Sequence, residues 1–323
     1  MKIKQEYLIL FVMILALCLY LILRSSDKSH YKLPEISSLV EKDISKIEIS
    51  KTDSSIILKK KDDVWSIDPQ GYPADAGKVK DMLAVIENLT LTALVSESKD
   101  YNRYELNDDK KIAVKAWIGG KLGREFEVGK TASSYRHTFV KLANDHRVYH
   151  ARESFRDKFD RTVGELRDKA VLTFDQNEIK EMKITKQGQT VAFLRKLATE
   201  GESAGQDTGD EDPTPDKEQT VWQTDKGKEG RESELRSLLA TLSKLRCEKY
   251  MDGRKKDEFA NPIYTIWLKG TGEYTLSFFA KTEKDATDHP ATSSENDYPF
   301  FLQNYQANKI MKDPDEMLKK PDK

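Results

Sequence analysis

The chain has 323 residues, with 54 Lys or Arg against 55 Asp or Glu, a formal net charge of -1. So even a balance excludes the basic footprint of a nucleic-acid-binding protein and the polybasic signal of an anionic-lipid binder. Hydrophobic residues make up only 37%, and the two cysteines, Cys18 and Cys247, fall in an apolar run and in the polar remainder, so the fold rests on burial rather than on a disulfide.

The first element is the run Tyr7 to Leu23, which has no charge, Gly or Pro. As a helix it would extend about 26 Å, near the roughly 30 Å hydrocarbon core of a bilayer. Lys4 and Arg24 flank it and could reach the headgroups. No Ala-x-Ala-like cleavage site precedes Arg24, and Leu17 rather than a small residue precedes Cys18, which argues against a cleaved and against a lipidated signal. The reading is a short tail (1–6), a transmembrane anchor in the lipid bilayer (7–23) and a linker (24–40). Lys2 and Lys4 on one side nearly balance Arg24, Lys28 and Lys32 on the other. The short tail favours an N-in arrangement, with the domain in the periplasm or outside the cell.

A strand pattern opens at Ile44, Ile47 and Ile49, continues through Ser55–Lys61, turns at Asp62-Asp63 and resumes at Val64–Ile67. Asp75 is placed to cap a helix whose apolar face is Val79, Met82, Leu83, Ile86 and Leu89. Strands follow at Ile112–Ile118 and Arg124–Val128, joined through Gly119-Gly120 by a loop longer than a tight hairpin. Thr138–Leu142 and Arg147–His150 pair across Asn144-Asp145, and a short helix is expected over Arg152–Phe159.

The second half repeats the order. Ile179, Met182 and Ile184 echo the first strand, and Thr190–Leu194 the second. Trp222 follows Trp65 by 157 residues, and Leu245 follows Leu89 by 156. Ile263–Leu268 echoes the strand bearing Trp117, and Tyr274–Phe279 echoes Arg124–Val128. Two departures are expected: an acidic insert (200–218), and the loss of a hairpin where Pro299–Leu302 runs quickly into Tyr305–Met311. The expected organisation is a first α+β module (41–172), a second (173–311) and a frayed charged tail (312–323), an α+β fold of two antiparallel-sheet-plus-helix modules behind the transmembrane helix.

Candidate chemistry is sparse. Gly129-Lys130-Thr131 suggests a phosphate loop, but Arg124 stands where that motif needs its first Gly, and the intervening Glu-Phe-Glu-Val reads as strand. His146 and His150 would sit about 13 Å apart along a strand, too far to share a metal; His137 could approach one of them across the sheet. The insert's Asp207, Asp210, Glu211, Asp212 and Asp216 lack the alternation and central Gly of an EF-hand. The acidic residues are too numerous to single out a glycosidase-like carboxylate pair. Trp65, Trp117, Trp222 and Trp267 read as core anchors, and Leu166-Arg167-Asp168-Lys169 as a structural junction. No catalytic, cofactor-binding or metal-binding residue is assigned, and the expectation is a non-enzyme without cofactor.

Val64-Trp65-Ser-Ile-Asp-Pro69, Pro73-Ala-Asp75, Tyr104-Glu-Leu106, Val128-Gly129, Val148-Tyr149 and Leu166-Arg-Asp-Lys-Ala-Val-Leu172 together resemble the bacterial domain-of-unknown-function 4340 family. The resemblance implies a membrane-anchored protein with its domain outside the cytoplasm, often encoded beside gliding-motility-type ABC transporter components. It supplies no catalytic residues. The expectation is an accessory or scaffold protein at the bacterial inner membrane, with its soluble domain in the periplasm and ABC-type transporter subunits as partners. The alternative is a module that binds cell-envelope polysaccharide or peptide.

Overall fold

The computed structural model describes residues 5–24, 31–197, 220–281 and 287–319. The expected acidic insert lies outside the described residues, as does part of the linker. The first element, α1 (Gln5–Arg24), is helical, and its described side chains, residues 9–20, are exposed. Among the described residues no helix is long and apolar enough to cross a membrane, which overturns the expected N-terminal transmembrane helix. Gln5 and Glu6 open α1 and Arg24 ends it, so polar residues at both ends leave a shorter apolar stretch than the roughly 20 residues a span commonly takes. The fold is mostly antiparallel sheet with few helices. It divides into two units, Met1–Arg167 and Asp168–Lys323.

In the first unit, β1 (Ile44–Lys51), β2 (Ser54–Lys61), β3 (Val64–Asp68) and β4 (Tyr72–Pro73) form successive antiparallel pairs. Asp62 and Asp63 both take positive φ between β2 and β3 (49° and 62°), the geometry of a two-residue hairpin turn. The helix α2 (Ala76–Asn88) begins where Asp75 accepts from the backbone N–H groups of Gly77 and Lys78 at 3.1 and 3.2 Å. Its buried face is Val79, Met82, Leu83, Val85 and Ile86. Then come β5 (Leu91–Ser96), β6 (Ile112–Ile118), β7 (Lys121–Thr131), β8 (His137–Leu142) and β9 (Val148–Arg152). Gly119 and Gly120, both at positive φ, make a tight two-residue turn between β6 and β7, not the longer loop expected. The helix expected over Arg152–Phe159 shrinks to α3 (Arg156–Phe159), because β9 extends through Arg152; α4 (Val163–Leu166) follows. Among the described residues the sheet order is β4-β3-β2-β1-β6-β7-β8-β9-β5.

The second unit starts with β10 (Ala170–Thr173), followed by β11 (Glu181–Lys186), β12 (Gln189–Leu197), β13 (Thr220–Thr224), α5 (Glu232–Leu242), β14 (Lys244–Arg246) and β15 (Lys249–Tyr250). β16 (Tyr264–Lys269), β17 (Glu273–Phe278), β18 (Asp288–Ser293), β19 (Phe300–Gln303) and α6 (Asn304–Ile310) complete it. Its main sheet runs β13-β12-β11-β16-β17-β18-β19-β15, the first unit's order without the short β4. The β18–β19 hairpin is present, so the expected loss of a hairpin does not occur; Pro290 inside β18 hid it from the strand pattern. The repetition reaches the ends of both units. Ala74 donates to the Trp65 carbonyl at 2.9 Å and Asp75 to Leu166; Gly230 donates to Trp222 and Arg231 to Met317, both at 2.7 Å. The Leu166 junction and the tail at Met317 therefore occupy equivalent places in the two units. Leu166 and Met317 are fully buried, and the tail is folded through Lys319 rather than frayed.

Each unit packs its helix on one sheet face. Trp65 and Trp222 lie in these cores, at 8% and 1% exposure. Trp117 and Trp267 do not. Ile112, Val114 and Ala116 point inward along β6, and Tyr264, Ile266 and Leu268 along β16, so the alternation of a strand turns both tryptophans to the opposite face. There the Lys46 and Lys183 ammonium groups stand 4.0 and 4.4 Å above the two indole rings.

Candidate functional site

That opposite, outer face differs most between the units. The ladders fix which positions correspond. Val114 faces Phe126 as Ile266 faces Leu276. Val128 faces Val140 as Phe278 faces Ala291, and Phe139 faces His150 as Pro290 faces Phe301. The residue after Val128 is Gly129, and the residue after Phe278 is Phe279.

In the first unit the segment between β5 and β6 folds down onto this face. Tyr104, Leu106 and Val148 form a small second core with Val95, Tyr101 and Phe139 around it. The Tyr104 and Phe139 rings lie 4.9 Å apart, Phe139 and His150 4.8 Å, and His150 stacks on His137 at 5.2 Å. The approach is close enough to require glycine: a Cβ on Gly129 would stand 2.3 Å from the Tyr104 carbonyl oxygen and 2.9 Å from Leu106 Cγ. Burial and the neighbouring His137 hold the His150 imidazole below its usual range. The next turn is fixed by Asp145, which accepts from the Arg147 guanidinium and, at 2.8 Å, from the Tyr149 hydroxyl. The guanidinium holds the carboxyl well below the carboxylate range, and burial with the carboxylate beside it pushes Tyr149 up to about 12.

In the second unit Phe279 stands where Gly129 is, and its ring meets Phe259 edge-on at 5.1 Å and 61°. The segment between β15 and β16 is tied to β18 by the Lys256 ammonium, which donates to the Ser293 carbonyl, and a cleft of about 570 Å³ lies beside it, with Pro290 and Phe301 in its lining. Phe259 and Phe279 form one wall, and Tyr250 and Met251 contribute at the sheet edge. Arg254 pairs with Glu258 and lies 5.2 Å over Phe259. Lys249, 3.7 Å from Asp288, lies 5.1 Å over Phe301. The walls are apolar, and these charged groups at the mouth carry acid–base partners. Such an arrangement suits binding and orientation.

A scan of family models matches residues 65–262 to the family described as Domain of unknown function (DUF4340). The chain belongs to the DUF4340 family. The DUF4340 match takes in the whole first-unit cluster and reaches Phe259, stopping short of Phe279, Pro290 and Phe301. No curated protein and no solved structure matches the chain.

Of the residues weighed from sequence, His137 and His150 do meet across the sheet, whereas His146 lies in the loop, its carbonyl accepting from the Tyr101 hydroxyl at 3.1 Å. No group of three or more His, Cys, Asp or Glu that could hold a metal occurs among the described residues. Gly129-Lys130-Thr131 lies inside β7, at an irregularity in its pairing with β8, rather than in a turn after the strand. Arg124, which breaks the phosphate-loop motif, is buried and donates to the carbonyls of Ile86 and Glu87 near the end of α2 and to Ser37. A hollow of about 300 Å³ beside α2, lined by Asn88, Thr90, Arg152 and Glu153 among others, is smaller and more polar than the cleft. Sequence reasoning missed Phe259, Phe279, Pro290 and Phe301. The available signal was the replacement of Gly129 by a phenylalanine at the same step after a repeated strand.

Proposed function

We propose that this protein is a non-enzymatic accessory or scaffold component of an extracytoplasmic assembly, working with an ABC-type transport complex and holding a partner at the second unit. One observation supports it above the rest. The same sheet frame is built twice, and its outer face is closed by the chain itself in the first unit but left as an apolar cleft in the second. A closed unit serves as frame; an apolar cleft with charged groups at its mouth serves as a contact. Co-purification of the full chain from mildly solubilised membranes tests the reading. ABC-type transporter subunits are expected to come with it, and recovery of the protein alone would contradict the proposal.

The second reading, a module for envelope polysaccharide, draws on the aromatic walls. It is the weaker one, because Phe259 and Phe279 meet edge-on instead of offering a flat platform to a sugar ring, and Glu258 is already engaged by Arg254 and the Lys255 N–H.

A further inference from the structure

We infer that the second unit binds a small hydroxylated carboxylate, of the sugar-acid type, in a cavity between α5 and the β12–β13 ladder, through an unpaired edge of the Arg195 guanidinium. This cavity shares no lining residue with the cleft beside Phe279, and the inference does not rest on the partner-holding reading. Its volume is about 600 Å³, and Gln176, Arg195, Thr220, Trp222 and Leu239 are among the residues that line it.

The first unit shows what is unusual there. Arg195 faces Trp222 across the ladder as Lys60 faces Trp65. The two cations also make the same backbone contact. Lys60 Nζ donates to the Lys42 carbonyl at 3.3 Å, two residues before Ile44, and Arg195 Nη1 donates to the Asn177 carbonyl at 3.0 Å, two residues before Ile179. In the first unit Asp63, two residues before Trp65, pairs with the Lys60 ammonium at 2.9 Å. The residue two before Trp222 is Thr220, and Arg195 has no acidic partner among the described residues. Arg236, also in the lining, is matched by Glu232 at 3.2 Å, so the uncompensated charge is that of Arg195.

Unmade hydrogen bonds converge on the same cavity. Arg195 Nε, Trp222 Nε1 and Gln176 Oε1 are buried without a hydrogen-bond partner among the described residues, and Trp222 is 1% exposed. Groups of this kind are costly to leave unpaired. With Nη1 committed to Asn177, the guanidinium edge formed by Nε and Nη2 remains, and its two parallel N–H groups match the two oxygens of a carboxylate. Nε is shielded from solvent, so binding turns the half-buried Arg195 side chain to present that edge. The Trp222 N–H adds a donor. The Gln176 oxygen is an acceptor, which an ionised carboxylate cannot satisfy and a neighbouring hydroxyl can. The set therefore calls for both groups on one ligand, and the volume has room for a sugar-sized one.

The test titrates the full-length protein by calorimetry with glucuronate, with glucose, which lacks the carboxylate, and with acetate, which lacks the hydroxyls. Saturable one-to-one binding of glucuronate is expected, with a Kd of about 0.1–1 mM for so small a contact. Glucose and acetate should bind at least about tenfold more weakly. Thr220→Asp gives Arg195 the acid that Lys60 has in the first unit and should weaken glucuronate binding at least about tenfold. Arg195→Lys keeps the charge but loses the fork, and should weaken it by about the same factor. Lys60→Gln, at the matching position of the first unit, should leave it unchanged. Thermal melts and circular dichroism establish that each variant folds. No saturation by glucuronate, equal binding of glucose, or indifference to either Thr220→Asp or Arg195→Lys would each overturn the inference. Equal binding of acetate would also overturn it, by reducing the site to a general anion contact.

Discussion

The two units share a strand order, a helix on the same face and a terminal segment bonded to the same place, yet their outer faces differ, most sharply where Gly129 corresponds to Phe279. At Gly129 the backbone lies bare, and Tyr104 and Leu106 come down onto it. At Phe279 a ring takes up that space, and Phe259 packs against it edge-on. The difference teaches that a repeated frame needs no new element to gain a binding surface. A glycine and a phenylalanine at the same ladder position accompany a packed cluster in one unit and a cleft in the other.

The strongest way to break the comparison is to move the second unit's residue into the first. Gly129→Phe should cost the first unit more than about 3 kcal/mol, since the ring must displace a backbone carbonyl as well as Leu106. Hydrogen exchange should show protection lost at Tyr104, Leu106 and Val148, and a variant with native protection would mean that the segment is not tightly seated. Next in size, Leu106→Ala removes a side chain that is 1% exposed and should cost about 3 kcal/mol in denaturant unfolding. Little change there would show that the cluster does not hold the segment down.

A smaller effect separates the helices. Asp75 caps α2 with two hydrogen bonds, whereas Arg231 at the start of α5 makes no side-chain cap bond. Asp75→Ala should therefore cost about 1 kcal/mol, and Arg231→Ala should cost less through helix capping. Equal losses by thermal melting would count against the distinction.

The smallest effect is one of pH. His150 has its folded pKa depressed by burial and by His137, so the unfolded chain binds the proton more readily. Its contribution to stability is present above the unfolded value near 6.5 and is lost as pH falls through the lower folded value. His150→Phe, which installs the second unit's residue, should flatten the decline in stability below about pH 6.5. An unchanged pH profile would mean that His150 titrates as it does in the unfolded chain.

Much of the frame was legible in the sequence. Alternation along β1 to β3, paired aspartates at a hairpin and the three- and four-residue spacing of α2 are local signals that burial then obeys. The missed strands are those without such a signal. β15 has two residues, β14 three, and β5 has a mixed pattern at the sheet edge. Trp117 and Trp267 were misplaced because their side depends on the parity of neighbours along the strand, not on residue type. The tail read as frayed because prolines among charges obscure Met317, whose burial comes from a bond partner 86 residues away at Arg231. The cleft was illegible for the same reason. It follows from which residues face one another across β17, β18 and β19, and only the register tells that Phe279 stands in for Gly129.

The central claim is that the second unit, not the first, holds the partner, and the matched variants Ala280→Trp and Lys130→Trp test it most directly. Both residues are exposed at equivalent positions and neither lies in a core, so each substitution should change stability by less than about 0.5 kcal/mol. Co-purification of the full chain with the proposed transport subunits should be lost with Ala280→Trp and retained with Lys130→Trp. Retention with both, or equal loss with both, would contradict the account.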